Sequence, residues 1–289
     1  VAALEVKTLS AGDDAALEDF LMPHAASSMF LRANSRAAGL VDRGALLQGT
    51  YVAALEAGRI VGVAAHFWNG MLVLQAPEPR ALEPVARAAV SRSRRELSGL
   101  VGPWPQVEAA RRALGFSGRG TVLDSREKLY ELDLSKLEVP PDLASGRLEC
   151  RFPRALELDL VVKWRVSYSM EALGVPAGRK LEATSQSEIE RLQAEGSQWI
   201  LLDRGVPVSY SAFNARLPDV VQVGGVWTPP ELRGRGYGRA VVAGSLQAAR
   251  SEGAVRAVLF TGEENRSARA AYEALGFRVV GDYGLVIFR

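Results

Sequence analysis

The sequence predicts an α/β chain made of two related domains, and three observations carry that expectation. Its length, 289 residues, suits two domains of ordinary size. Each half repeats one order of elements: strand, turn, strand, strand, helix. Each half also closes a helical segment with the same four residues, Ala-Leu-Gly-Phe, at 113–116 and 274–277.

In the first half, Tyr51–Leu55 and Ile60–Phe67 flank Ala57-Gly58-Arg59 and read as strand, turn, strand. In the second, Trp199–Leu202 and Val206–Phe213 flank Asp203-Arg204-Gly205 in the same way. Met71–Ala76 and Val220–Thr228 read as the following strands, and helices are expected over Glu83–Leu97 and Gly238–Ser251. Leu-Gly-Phe after a helix has a local meaning. The glycine takes the left-handed position beyond the last turn, and the aromatic residue opens the next strand. The shared order around both copies marks a tandem duplication. Residues 135–147 (SKLEVPPDLASGR) follow a strand-like run, Leu129–Leu134, and combine a Pro-Pro pair with small and charged residues. They are the expected linker between domains at 1–134 and 148–289.

Bulk composition narrows the function classes. A hydrophobic fraction of 48% with 24% charged residues describes a soluble globular chain. No run approaches the roughly 20 apolar residues that span a bilayer, so no membrane partner is expected. Val1–Ser10 has no basic segment leading into an apolar run, and no leader is expected there. A net charge of +2 gives no support for a nucleic-acid partner. Cys150 is the only cysteine, which excludes an intrachain disulfide and a multi-cysteine metal site. No metal is expected, and a reducing cytoplasm is the natural setting. His24 and His66 read as structural, and Arg92, Arg94 and Arg95 as a solvated helix face.

The chemistry-bearing run is VVQVGGVWTPPELRGRGYGRAVVAGSLQAAR, residues 220–250. It starts as a strand, breaks at Pro229-Pro230, crosses an Arg/Gly-rich loop and enters a helix. Val242, Leu246 and Ala249 then share one helix face. The unpaired N–H groups of a helix N-terminus, with the positive end of its dipole, make an anion site. Gly234, Gly236 and Gly238 would let a phosphate approach the backbone with no Cβ in the way. Arg233 and Arg235 add charge at the rim, and Arg239 lies in the first turn. The physics points to a phosphate or pyrophosphate. The Walker pattern is absent, because no lysine follows these glycines, and the dinucleotide pattern fails because Val241 stands three beyond Gly238. The spacing is [QR]-x-x-G-x-[GA], at Arg233, Gly236 and Gly238.

At this spacing the sequence resembles the GCN5-related N-acetyltransferase (GNAT) superfamily, whose pyrophosphate motif lies between a strand and a long helix. The resemblance implies tandem GNAT-like domains, each a central mixed β-sheet flanked by helices, with acetyl-CoA as co-substrate. It assigns the pyrophosphate to Arg233, Gly234, Arg235, Gly236, Tyr237, Gly238 and Arg239. It also implies that the backbone around Val226, Trp227 and Thr228 pairs with the pantetheine amides, as an added strand would. A second family element is Asn265-Arg266-Ser267-Ala268-Arg269-Ala270-Ala271-Tyr272, after the strand Val255–Phe260. Asn265 and Tyr272 lie close to two helical turns apart and so share a face. The family uses the Asn to hold the pantetheine or nearby backbone, and the Tyr as general acid toward the departing thiolate. Its acceptor pocket is bordered by the first two helices. Tyr168 and Glu171, which share a face with Trp164 on the expected helix Leu158–Leu173, are therefore candidate substrate contacts.

The first half departs from this pattern. Gln75-Ala76-Pro77-Glu78-Pro79-Arg80 replaces the glycine loop, and Trp104 and Arg111 stand where the second half has Asn265 and Tyr272. Its expected work is structural, or a share of the acceptor pocket.

The resemblance implies direct acetyl transfer to a primary amine, of a small molecule or next of a peptide, in a ternary complex. A backbone N–H near Val226 would stabilise the oxyanion. Many relatives carry a glutamate base on the fourth strand; here Gln222 and Gly224 hold those positions and neither can act. Asp219, Glu171 and Glu263 remain open as the end of a water chain. That missing glutamate supports the alternative, a CoA-binding regulatory or interaction module without turnover. A nucleotide-binding switch is disfavoured by the absent Walker lysine.

Overall fold

A computed structural model describes residues 3–289. The first repeat runs β1 (Glu5–Thr8), α1 (Asp14–Leu21), α2 (Met29–Ala38), β2 (Gly49–Glu56), β3 (Arg59–Phe67), β4 (Met71–Gln75), α3 (Pro79–Ser93), β5 (Gly99–Pro103), α4 (Trp104–Ala113) and β6 (Thr121–Asp133). A short helix, α5 (Pro141–Ala144), precedes the second repeat. That repeat is β7 (Leu148–Arg151), α6 (Leu158–Leu173), α7 (Arg179–Ala194), β8 (Gln198–Asp203), β9 (Val206–Arg216), β10 (Val220–Trp227), α8 (Tyr237–Ser251), β11 (Arg256–Gly262), α9 (Arg266–Glu273) and β12 (Arg278–Phe288). The two orders are identical, element for element. Even the hairpins agree. Ala57-Gly58 and Arg204-Gly205 form two-residue turns with positive φ at both positions (49° and 78°; 51° and 78°), the geometry that matches the twist of the flanking strands.

Two compact units result, Val1–Leu129 with Gly281–Arg289, and Tyr130–Val280. In unit 1 the strand order is β1-β2-β3-β4-β5-β12, antiparallel except for the parallel pair β4–β5. In unit 2 the order is β7-β8-β9-β10-β11, with β10–β11 the parallel pair, and the end of β6 stands beside β11. Each repeat therefore ends in the other repeat's unit, residues 130–133 of β6 in unit 2 and residues 281–288 of β12 in unit 1. A division at 1–134 and 148–289 follows the order of the sequence, whereas the compact units exchange these strands. Residues 135–147 are more than a spacer. Leu134 and Leu137 are buried in the core of unit 2, and Pro141–Ala144 form α5.

Unit 2 packs both sheet faces. On one, Trp199, Leu201, Phe213, Val221 and Val223 meet Tyr237, Val241, Val242 and Leu246 of α8. On the other, Ile200, Leu202, Tyr210, Ala212 and Trp227 meet Val161 and Trp164 of α6 and Ile189 and Leu192 of α7. In unit 1, Val52, Ala64, Leu72, Leu74 and Leu100 pack on Ala81, Val85 and Ala89 of α3, joined by Val107 and by Val286 of β12.

Two local expectations shift. Helix α3 begins at Pro79, not Glu83, because proline suits the first helical position, where the missing N–H costs nothing. It ends at Ser93, so Arg94 (φ 56°) and Arg95 lie beyond it. Arg95 is no solvated helix residue: its guanidinium pairs with Asp42 at 2.5 Å and donates to the His66 carbonyl.

Candidate active site

The site starts from a break in a strand. β10 pairs with β11 only over Val220–Gln222, opposite Arg256–Val258. Its remainder, Val223 to Trp227, follows β9, with register shifts after Gln222 and Gly224. Gly225 has φ 61°, a conformation that glycine takes without a steric cost. The bulge there reverses the alternation of the strand. Before it, Val221 and Val223 face α8; after it, Val226 packs on that side and Trp227 joins the α6/α7 face. The edge of β10 toward β11 thus carries backbone groups free to accept an added strand.

The end of β10 is braced from below. The Ser209 hydroxyl donates to the Trp227 carbonyl at 3.0 Å and lies 2.9 Å from the Thr228 hydroxyl. Arg233 lies over the Trp227 ring at 4.8 Å, donates to the Thr228 carbonyl at 3.0 Å, and pairs with Glu171 at 2.9 Å. Glu171 therefore meets a loop arginine, and that contact ties α6 to the loop. Arg235 donates to the Glu231 carbonyl of its own loop and lies near the Tyr237 phenol.

The loop then enters α8 through Gly234 (φ 77°) and Gly236 (φ 80°), the latter as N-cap. The first backbone bond of the helix runs from Ala240 N–H to the Gly236 carbonyl. Among the described residues, none of the amides from Gly234 to Arg239 is paired with a carbonyl. A run of free donors at the positive end of a four-turn helix is an anion cradle. The Arg239 Nε is buried without a partner beside it, as a group awaiting an acceptor would be. Tyr237 has a different use. Its ring is buried against the core, and its hydroxyl donates to Asp203 at 2.5 Å. That hydrogen bond raises the phenol's pKa and lowers the carboxyl's, so Tyr237 anchors the loop to the end of β8. A pyrophosphate-bearing ligand fits these residues: the glycines leave its approach open, and the donors are already in place.

Asn265 caps α9, its side-chain oxygen accepting from Ala268 N–H at 3.2 Å, and it is exposed. Tyr272 is buried, its ring edge-on to Tyr130 (6.5 Å) and Phe277 (6.0 Å). Desolvation raises its pKa, and nearby Tyr168 adds to the rise. The structure thus brings Tyr168 of α6 and Tyr272 of α9 into electrostatic range. Of the proposed proton acceptors, Glu171 is held by Arg233, and Asp219 pairs with Arg256 at 3.6 Å. Glu263 is exposed beside α9. Cys150 packs under Gly244, and burial pushes its thiol up to about 12.

The corresponding place in unit 1 is filled by the chain itself. Pro79 supplies no N–H to an anion, and Glu78 stands at the helix N-cap with Arg80 at 3.4 Å. Gln106 accepts from Ala76 N–H at 2.7 Å, and Ser27 and Ser28 donate to the buried Gln75. Arg111 pairs with Asp124 at 2.5 Å and donates to the Phe116 carbonyl.

Comparison with known proteins agrees with this asymmetry. Residues 162–277, all within the second unit, match the acetyltransferase (GNAT) family. No curated protein matches the chain. Among solved structures, a GCN5-related N-acetyltransferase from Sphaerobacter thermophilus is 15% identical, with a TM-score of 0.58 over 98% of this chain and 94% of that one. A tandem GNAT protein from the clavulanic acid biosynthesis pathway is 13% identical, with a TM-score of 0.55 over 98% and 97%. A Drosophila protein is 13% identical, with a TM-score of 0.66 over 98% of each chain. At such identities the likeness is one of fold, and it extends through both repeats.

Proposed function

With residues 162–277 a member of the acetyltransferase (GNAT) family, we propose that the protein transfers the acetyl group of acetyl-CoA to a primary amine, foremost of a small molecule, by direct attack in a ternary complex. The observation that carries this reading is the free run of amides from Gly234 to Arg239 lying just beyond the unpaired end of β10. One feature receives a pyrophosphate and the other an extended amide-bearing arm. CoA has both parts, in that order.

In this reading the amides of Gly234, Arg235, Gly236, Tyr237, Gly238 and Arg239 hold the pyrophosphate, with Arg233, Arg235 and Arg239 supplying charge. Val226, Trp227 and Thr228 pair with the pantetheine arm. Acetyl-CoA supplies an activated thioester. The Val226 amide stabilises the oxygen that gains charge as the amine attacks. Tyr272 gives its proton to the departing sulfur. Burial keeps that phenol protonated throughout the neutral range. Asn265 fixes the start of α9 and so the position of Tyr272. The amine, with an ordinary pKa of about 10, must lose a proton before it attacks. Gln222 and Gly224 cannot accept it, so the base stands off β10.

The test is thioester consumption with a panel of small amines and peptide N-termini, alongside calorimetry of CoA. Binding with turnover supports the transferase. Tight CoA binding with no consumption for any amine would make the protein a CoA-binding regulatory module, the reading that the absent strand glutamate favours. ATP binding in place of CoA would overturn both.

A further inference from the structure

The face of β10 turned toward α6 and α7 carries polar groups that neither the anion loop nor the acetyl transfer employs. Arg165 of α6 has a side chain only 12% exposed and pairs through one terminal nitrogen with Glu188 of α7 at 2.8 Å. Its other terminal nitrogen lies 3.0 Å from where a Cβ on Gly225 would stand, so the guanidinium is laid against the bulge itself. The Tyr168 ring packs over it, 5.1 Å from the guanidinium carbon. Its Nε is buried with no acceptor. Gln222 is 2% exposed and stands opposite in parity to Val221 and Val223, hence on the α6/α7 face of the strand. Its side-chain NH2 is also buried without an acceptor. Asn214 lays its side-chain amide on Gly224, between these two places on the strand.

Two buried, unpaired donors on one sheet face are costly unless an acceptor completes them. One is a guanidinium, a planar fork that matches a carboxylate. Glu188 accepts from Nη2, while Nη1 lies against the bulge and Nε has no acceptor. We infer that the amine acceptor carries a carboxylate, bound by Arg165 at the Gly225 bulge with Gln222 on the same face. The inference rests on the transferase reading and narrows its substrate to amino acids or similar amine-carboxylates. Gly225 serves the same end. A side chain there would crowd the guanidinium, and the left-handed backbone disfavours one in any case. Arg165 is thus a specificity residue, and Glu188 a positioning residue that holds its fork.

The experiment compares α- and ω-amino acids with amino alcohols of equal length, whose amines have similar basicity, in wild type and in Arg165→Met. Wild type should prefer the carboxylate member by at least ~10²-fold in kcat/KM, since a site built for a polar group rejects the analogue that lacks it. Arg165→Met should reduce that preference to a few-fold, mostly through KM, with calorimetric CoA affinity unchanged. Arg165→Lys should restore part of the preference. A purely structural arginine would lower both members alike and leave the ratio intact, which would overturn the inference. Turnover of uncharged amines without preference for carboxylates would overturn it while leaving the transferase standing. CoA binding with no turnover of any amine would remove the transferase and this inference with it. Should Arg165→Met fold poorly, the wild-type ratio alone decides: without a preference for the carboxylate the inference fails.

Discussion

At the scale of single residues, Tyr272 is the sharpest case. Its ring packs among Tyr130 and Phe277, and its hydroxyl lies in electrostatic range of Tyr168. Tyr272→Phe keeps the ring and removes only the proton donor. Turnover should fall by ~10²-fold if general-acid catalysis makes its usual contribution. The acetyl-CoA dissociation constant should stay put, the mark of an interaction made mainly in the transition state. Equal turnover by both proteins would reduce Tyr272 to a packing residue. Cys150 gives a control in the opposite sense. Its thiol is pushed up to about 12 and packs under Gly244, and only the thiolate is nucleophilic. Iodoacetamide at pH 8 should therefore leave the native protein unlabelled, while the unfolded chain, with an ordinary thiol, labels readily. Folded and unfolded pKa values that differ in this direction also make stability fall with rising pH between about 9 and 12.

At the scale of elements, the sequence made some features plain and hid others, for reasons visible in particular residues. Helix α6 occupies Leu158–Leu173 as the pattern expects, closed by Gly174 in the left-handed region. The hairpins were legible because Gly58 and Gly205 stand between two strand-like runs, although Ala57 and Arg204 take the other left-handed position against their type. The loop and α8 were legible because the glycines at 234, 236 and 238 stand where a loop opens into a helix, the place where an anion meets a helix end. The bulge was not. The positive φ of Gly225 and the reversed facing of Val226 and Trp227 expose it. Arg165 escaped notice for a related reason: one arginine on a helix looks solvated until its neighbours bury it. Glu171 was expected at the acceptor and meets Arg233. The loop also yields a prediction. Gly236→Val forces a β-branched residue to φ 80° at the N-cap and puts a side chain among the donor amides. CoA affinity should fall at least ~10-fold, about 1.4 kcal/mol, with a stability loss of order 1–3 kcal/mol from the backbone strain. Unchanged CoA affinity in a folded Gly236→Val protein would move the pyrophosphate elsewhere.

At the scale of the whole molecule, the repeats differ in what they can bind, yet each unit depends on the other repeat's chain. Pro79, Glu78 and the Gln106 bond to Ala76 occupy the place in unit 1 where unit 2 keeps free amides. One CoA per chain is expected by calorimetry, and a stoichiometry of two would contradict that account. The exchanged strands make a stronger claim. Val286 and Phe288 of β12 are buried in the core of unit 1, and Tyr130 and Leu132 of β6 in that of unit 2. Fragments 1–134 and 148–289, made separately, each keep a segment that belongs to the other unit (residues 130–134 and 281–289) and lose one of their own. Burying each such side chain contributes about 1.5–3 kcal/mol, so each fragment forgoes roughly 3–6 kcal/mol, a large share of the ~5–15 kcal/mol that holds a domain. Each also leaves a sheet edge uncovered and prone to pair with other chains. Expressed alone, both fragments should unfold at low denaturant or aggregate, and 148–289 should bind CoA poorly although it carries every cofactor residue. Expressed together, they should form a complex that melts cooperatively and regains CoA binding. A monomeric 148–289 fragment with a cooperative transition and the affinity of the intact chain would show that β6 is dispensable to unit 2, and that the exchange of strands contributes little to either fold.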